Sequence, residues 1–262
     1  MTSNSKGLLV KAFFLFILSS CSLISSNTDP RVSFQKKLLE ESKSELSNHL
    51  QYLGEDYLDN LGKNGVVDLS RTATAYLLQL HERITSNNEL IFPSYQRPRF
   101  YIINQDTPFH FSLPGGMYFI SKGLLKRYLA NEDLLAAVLA SEIFRSEKTI
   151  YEKKIMIPVG TMDTNQMLSI VRLPVATRAE INKWSYLLMK RSSFDPGALL
   201  NLIQLKNKNA IDFVATVGNI STISREEFNF KNFLSKTSGE SDMSVIEKNS
   251  TRGFYALRRD VE

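Results

Sequence analysis

Cysteine and histidine are scarce in this sequence. Its 262 residues contain one cysteine and three histidines. A single cysteine excludes an internal disulfide and a zinc site built from thiolates. His49, His81 and His110 lie far apart in the chain, so no two of them share a helical turn. This spacing excludes a local H-x-x-x-H pair of metal ligands.

The first residues are typical of an export signal. Lys6 and Lys11 precede an apolar run over residues 12–18, which is too short to span a bilayer. The run ends in Leu18-Ser19-Ser20-Cys21, which resembles the lipobox of bacterial lipoproteins. The resemblance implies a signal peptide over residues 1–20 and lipid attachment at Cys21. Because Ser22 is not the aspartate associated with inner-membrane retention, we expect an outer-membrane lipoprotein of the bacterial cell envelope that faces the periplasm. The alternative is a buried N-terminal helix with an incidental cysteine.

The net charge gives no reason to expect a nucleic-acid partner. It falls from +5 to +3 when Lys6 and Lys11 leave with the signal peptide. The densest basic group is Arg252, Arg258 and Arg259, and we interpret it as a solvated face. The expected partners are therefore the membrane, through the lipid, and envelope proteins or peptides.

The pattern of apolar residues predicts a helix-rich α+β domain with a small sheet. Polar composition after Cys21 predicts a lipidated tether over residues 21–35, which leaves residues 36–262 for the folded domain. Asp68 or Ser70 can cap the helix that follows them, and Asn131 can cap a later helix that begins at that residue. Residues after Gly218 give only a weak pattern. Helices are predicted at 34–57, 70–84, 131–154, 177–191 and 196–206, and strands at 98–104, 108–113 and 117–121.

Three motifs follow one another between about residues 66 and 206. They are Phe111-Ser-Leu-Pro-Gly-Gly116 with the following Gly123-Leu-Leu125, Ala140-Ser-Glu-Ile-Phe-Arg145, and Arg178-Ala-Glu-Ile-Asn182 with Phe194-Asp-Pro196 downstream. Their order and spacing resemble the HtpX-like gluzincin peptidases, a group that includes the CAAX prenyl proteases and the periplasmic BepA-type enzymes. The resemblance implies a gluzincin-type fold, in which two histidines of H-E-x-x-H and a carboxylate on a later helix bind zinc.

The positions that the resemblance assigns to the zinc site are largely substituted. Ser141 and Arg145 stand in place of the two histidines, and an arginine cannot lose its proton to bind a metal. Glu142 matches the glutamate that activates the metal-bound water, and Glu180 matches the carboxylate ligand. Asn182 replaces an aspartate that would orient an imidazole. The resemblance therefore implies vestigial positions, no intact catalytic residue, and no zinc or other cofactor.

Arg145 and Glu142 lie close together on one helix, one turn from Ser141. We expect the Arg145 guanidinium to replace zinc electrostatically by pairing with Glu180, with Glu142 or with both, because two buried carboxylates without a cation are costly. The alternative is that Arg145 lies at the helix surface and makes only an exposed contact with Glu142. Trp184 is expected in the core.

The hairpin offers a second interpretation that does not need catalysis. An exposed strand edge can bind an extended peptide by β-augmentation. The possible peptide-binding residues are Phe109, Phe111, Leu113, Gly115 and Gly116. The alternative for the three apolar side chains is ordinary strand packing.

Three functions fit these features. The first is a catalytically inactive metallopeptidase-like lipoprotein that acts as a binding or regulatory component of the envelope, for example in protein quality control. The second is an active peptidase with a rebuilt, non-histidine site in which Glu142 and Glu180 act as a carboxylate pair. The third is a purely structural envelope lipoprotein. The first is our prediction.

Overall fold

The computed structural model describes residues 30–92, 97–152, 160, 162–237 and 250–262, with side chains from residue 45 onward. The predicted signal peptide, Cys21 and the first part of the predicted tether lie outside the described residues. The compact unit that carries the candidate site begins at Glu45. No helix within the described ranges is long and apolar enough to cross a membrane.

Helices make up most of this unit, and they surround one small sheet, so the predicted α+β class is confirmed. The helix α1 begins at Pro30, earlier than predicted and inside the segment that composition indicated as tether. The helices are α1 (Pro30–Leu61), α2 (Arg71–Ser86), α3 (Lys122–Arg127), α4 (Glu132–Glu147), α5 (Thr164–Val171), α6 (Val175–Arg191), α7 (Gly197–Lys208), α8 (Val214–Val217), α9 (Ser221–Thr237) and α10 (Arg252–Asp260).

The sheet has three strands, β1 (Arg99–Ile103), β2 (His110–Leu113) and β3 (Met117–Ser121), in the order β1-β3-β2. The central strand β3 pairs parallel with β1 and antiparallel with β2. Gly115 and Gly116 form the turn between β2 and β3, both with positive φ angles of 81° and 72°. This conformation favours glycine, because an L side chain is strained there.

Side chains alternate between the two faces of the sheet along each strand, and both faces are buried because a core packs against each. On β3, Tyr118 and Ile120 belong to a core that also contains α2, α4, α6 and α7. Met117 and Phe119 face a second core with α1 and α5. The strands are therefore interior elements that fix the position of α4, which carries the second motif.

Two surface predictions need correction. Arg252 and Arg259 are exposed as predicted, but Arg258 is half-buried, and its guanidinium donates hydrogen bonds to the carbonyls of Leu125, Lys126 and Leu129 at and just after the end of α3. These are carbonyls that a helix C-terminus leaves without partners. Trp184 is 41% exposed and stacks on Phe144 at a centroid distance of 5.4 Å, so it covers the core edge and does not lie inside it.

Candidate functional site

A cavity of about 90 Å³ lies between β2 and the six helices from α4 to α9. Its walls are mostly aliphatic, and its charged and polar side chains come from all of these elements except α5. Because the elements are distant in sequence, the fold alone brings these groups together. The polar lining residues include His110, Ser141, Glu142, Arg145, Arg178, Asn182, Lys206 and Glu226.

The helix α4 is well defined, and this fixes the direction of its side chains. Asn131 caps it by accepting a hydrogen bond from the backbone N–H of Leu134 at 2.9 Å. Glu132 and Asp133 lie in the first turn, where the helix dipole stabilises negative charge. Nearly every residue of the last three turns is buried, so Glu142 and Arg145 are held inside the protein.

Glu142 is the centre of a buried hydrogen-bond network. Its Oε1 lies 2.6 Å from Nδ1 of His110, and its Oε2 accepts a hydrogen bond from the hydroxyl of Ser112 at 2.7 Å. Both partners come from β2, where they point away from the aromatic face of the strand. Burial alone would raise the pKa of Glu142, but the hydrogen bonds from His110 and Ser112 and the charge of Arg145 lower it to about 2. Glu142 is therefore ionised at neutral pH.

His110 connects Glu142 to Lys206. Its Nε2 lies 2.8 Å from the ammonium nitrogen of Lys206. An ammonium group can only donate and an ionised carboxylate can only accept, so the partners assign the proton of a neutral imidazole to Nδ1. Burial lowers the pKa of His110, and so does the positive charge of Lys206. The result is a continuous chain of hydrogen bonds from Lys206 through neutral His110 to Glu142.

Arg145 is buried, as the pairing hypothesis requires, with 6% of the residue exposed. Its guanidinium lies 3.9 Å from Oε2 of Glu142, donates to the carbonyl of Val171 and lies over the ring of Tyr151 at 5.0 Å. The Nε of Arg145 is buried without a hydrogen-bond partner. Arg145 therefore lies within ion-pair distance of Glu142 but is not hydrogen-bonded to it, so the expected close pairing is only approached, and the surface alternative for Arg145 is wrong.

Glu180 does not take part in this network, so our prediction that Glu180 faces the site from α6 is wrong. Glu180 is exposed and pairs with Lys183 at 2.5 Å on the helix surface. The face of α6 that lines the cavity carries Arg178 and Asn182. Both contact Glu226 of α9, the first through Nε at 2.8 Å and the second through its amide nitrogen at 2.8 Å. The carboxylate pair of Glu142 and Glu180 is not formed.

The apolar side chains of the hairpin are not exposed to a peptide, whereas β2 is an edge strand of the sheet, so β-augmentation on its backbone stays a prediction. Phe109, Phe111 and Leu113 have no solvent exposure and pack in the second core, with the rings of Phe111 and Phe119 stacked at 4.5 Å. Strand packing, the alternative for these residues, is confirmed. The helix α4 also bonds to the hairpin, because the hydroxyl of Ser146 donates to the carbonyl of Leu113 at 2.9 Å.

The residues around the cavity do not fit a zinc ion. Both nitrogens of His110 already have partners, one of them an ammonium group, and Arg145 and Arg178 carry fixed positive charges. The described part of the chain contains no group of three or more histidine, cysteine, aspartate or glutamate side chains that could hold a metal ion. A dication would also meet the repulsion of these cations.

Sequence reasoning missed several members of the site, among them His110, Lys206 and Glu226. Lys206 and Glu226 lie in segments with no recognised motif, and only the packing of α7 and α9 against α6 brings them to the cavity. His110 had a usable signal, since it alternates with Phe109 and Phe111 along the strand. That alternation directs its side chain to the same face as Ser112, toward α4.

Comparison with known proteins adds no relative. No protein-family model matches the chain, and a search of curated proteins finds no match.

Proposed function

We propose that this chain is a catalytically inactive, metallopeptidase-like lipoprotein that acts as a binding or regulatory component of the bacterial cell envelope. In this proposal the chain is related to the HtpX/BepA-like gluzincins. Lipid at Cys21 anchors it to the outer membrane, and the folded domain contacts envelope proteins or peptides in the periplasm. Nucleic acid is not a partner.

The observation that carries the proposal is the state of Glu142. In a zinc peptidase the corresponding glutamate must be available to take a proton from the metal-bound water. Here both carboxylate oxygens accept hydrogen bonds, from His110 and from Ser112, and Arg145 lies beside them. A carboxylate whose pKa is near 2 is also a weak base at neutral pH.

The geometry of α6 gives further support. A third metal ligand from this helix would have to stand on the face that lines the cavity, where Arg178 and Asn182 lie. Together with Ser141 and Arg145 on α4, the cavity-facing positions of the two helices offer no set of zinc ligands. Binding is then the use that remains for a cavity with apolar walls and buried charges.

The test combines metal analysis with a degradation assay on the full chain purified in detergent. We expect zinc well below one equivalent after exposure to excess Zn²⁺ and removal of the unbound metal, and no casein degradation above that of a buffer control. Glu142→Gln should leave this background unchanged, as should the exposed control Glu180→Gln. Stoichiometric zinc, or degradation that Glu142→Gln abolishes and Glu180→Gln does not, would overturn the proposal.

A further inference from the structure

The cavity contains more positive than negative charge. Four cationic and two anionic side chains line it, and His110 is neutral by its hydrogen-bond partners. Charges in a partly dry cavity are costly unless they are balanced. The cations are Arg145, Arg172, Arg178 and Lys206, and the anions are Glu142 and Glu226.

The carboxylates are not distributed evenly among these cations. Glu226 is hydrogen-bonded to Arg178 and Asn182, and Glu142 to His110 and Ser112. The hydrogen-bond partner of Lys206 is a neutral imidazole.

Within the described residues, no carboxylate lies within ion-pair distance of the Lys206 ammonium group. Arg145 reaches Glu142 only at 3.9 Å and has one buried nitrogen without a partner. Lys206 and Arg145 therefore lack a hydrogen-bonded counter-ion.

We propose that the cavity binds the carboxylate group of a short-chain organic acid, with Lys206 and Arg145 as the charges that attract it and the aliphatic walls around its carbon chain. Arginine and lysine are the side chains that proteins use for this purpose. The proposal deepens the proposed binding role by naming the chemical class of the ligand.

The volume limits the size of this acid. An apolar cavity of about 150 Å³ holds a six-membered carbon ring, so about 90 Å³ holds roughly four heavy atoms. Acetate has four heavy atoms and propionate five, so both are close to this limit. The apolar wall comes from side chains such as Leu168, Val171 and Ile203. Ser141, Lys206 and Thr216 are partly exposed, so the cavity has a polar opening to the surface.

The experiment measures the melting temperature of the full chain as a function of ligand concentration. Propionate is compared with propionamide, which has the same shape without the charge, at equal ionic strength. We expect a saturable rise with propionate and none with propionamide. Equal shifts for the two compounds, or no saturable shift up to about 50 mM propionate, would overturn the proposal. The tightest dissociation constant for a ligand of this size is micromolar, so about 50 mM leaves a wide margin for weaker binding.

Two variants on α7 locate the site. Lys206→Met should weaken propionate binding at least tenfold, whereas Lys208→Met, an exposed position on the same helix, should leave it unchanged. Equal affinity in the wild-type chain and Lys206→Met would also overturn the proposal. If Lys206→Met does not fold, the comparison of propionate with propionamide on the wild-type chain decides.

A second arm identifies the source of the carboxylate. Acetyl-trialanine as the free acid is compared with its C-terminal amide. Weaker binding of the peptide acid than of propionate supports a free short-chain acid as the ligand. Tighter binding would overturn that assignment in favour of a peptide C-terminus. The metal and degradation assays are independent of these results, so failure of this inference leaves the proposed loss of peptidase activity standing.

Discussion

Replacement of Glu142 by glutamine tests how much the buried network contributes to stability. The amide has the size of the carboxylate and can still accept from His110, but it has no charge to balance Arg145. The pKa of Glu142 is lowered from 4.5 to about 2. Because each tenfold change in proton affinity is worth about 1.4 kcal/mol, and because His110 is neutral at pH 7, Glu142→Gln should destabilise the chain by at most about 3 kcal/mol at this pH.

The pH dependence gives an independent check. A carboxylate whose pKa is lower in the folded state stabilises the fold above the unfolded pKa of about 4.5, and this contribution is lost as the pH falls toward 2. The difference in unfolding free energy between wild type and Glu142→Gln should therefore be constant above about pH 5. Below that value it should shrink by about 1.4 kcal/mol for each pH unit.

The assay is urea unfolding of both chains at several pH values, followed by tryptophan fluorescence from Trp184, which stacks on Phe144 of α4. Glu180→Gln is the matched control, because Glu180 is exposed and its pair with Lys183 should contribute under about 1 kcal/mol. A loss below about 1 kcal/mol for Glu142→Gln, or a difference that does not change between pH 5 and pH 3, would refute this account of the network.

Three further predictions follow from particular contacts. Ser141→His with Arg145→His should not gain stoichiometric zinc, as measured by mass spectrometry of the metal. Addition of Arg178→Glu should produce about one equivalent, because residue 178 and not residue 180 faces the cavity. Zinc in the double variant would contradict this orientation of α6. Phe111→Ala should cost about 3–5 kcal/mol in urea unfolding, because the ring is fully buried against Phe119, while the exposed Phe228→Ala should cost under about 0.5 kcal/mol; similar losses would contradict the assignment of Phe111 to the core. Arg258→Met should lower the unfolding free energy by about 2 kcal/mol through the lost hydrogen bonds to the end of α3. Arg259→Met, at the neighbouring exposed position, should not. Equal melting temperatures for the two variants would argue against a stabilising contact between Arg258 and α3.

The elements were predictable because their signals are local. The three strands and the helices α2, α4, α6 and α7 follow from apolar periodicity and from caps such as Ser70 and Asn131, both of which accept the expected backbone hydrogen bond. The hairpin turn was predictable from Gly115 and Gly116. The burial of Glu142 and Arg145 also followed from their place on an apolar helix.

The composition of the site was less predictable, because it depends on contacts between distant segments. The error on α6 was a choice between helix faces. Glu180 and Lys183 share the solvent side, whereas Ile181, Ser185 and Met189 form the buried side next to Arg178 and Asn182. The family motif pointed to Glu180, and the expected burial of Trp184, which is 41% exposed, agreed with that wrong face. Helical periodicity alone did not separate these alternatives, because large apolar residues occur on both sides.

The charges of the cavity connect the two proposals. A zinc ion polarises a carbonyl group and lowers the pKa of bound water because it accepts electron pairs into open coordination positions. Guanidinium and ammonium groups have no such positions, and they act on a ligand through charge and hydrogen bonds. A cavity with the cations Arg145 and Arg178 on α4 and α6 is therefore suited to attract an anion, which agrees with the proposed binding role. Burial lowers the pKa of Lys206, and so does Arg178, while the charges of Glu226 and Glu142 oppose this shift, so binding at Lys206 is sensitive to pH. Because the ammonium form attracts the carboxylate, the affinity for propionate should fall as the pH rises through the pKa of Lys206. The variant Lys206→Met should lack this dependence. An affinity that stays constant up to pH 10.5, the ordinary pKa of a lysine, would remove Lys206 from the site.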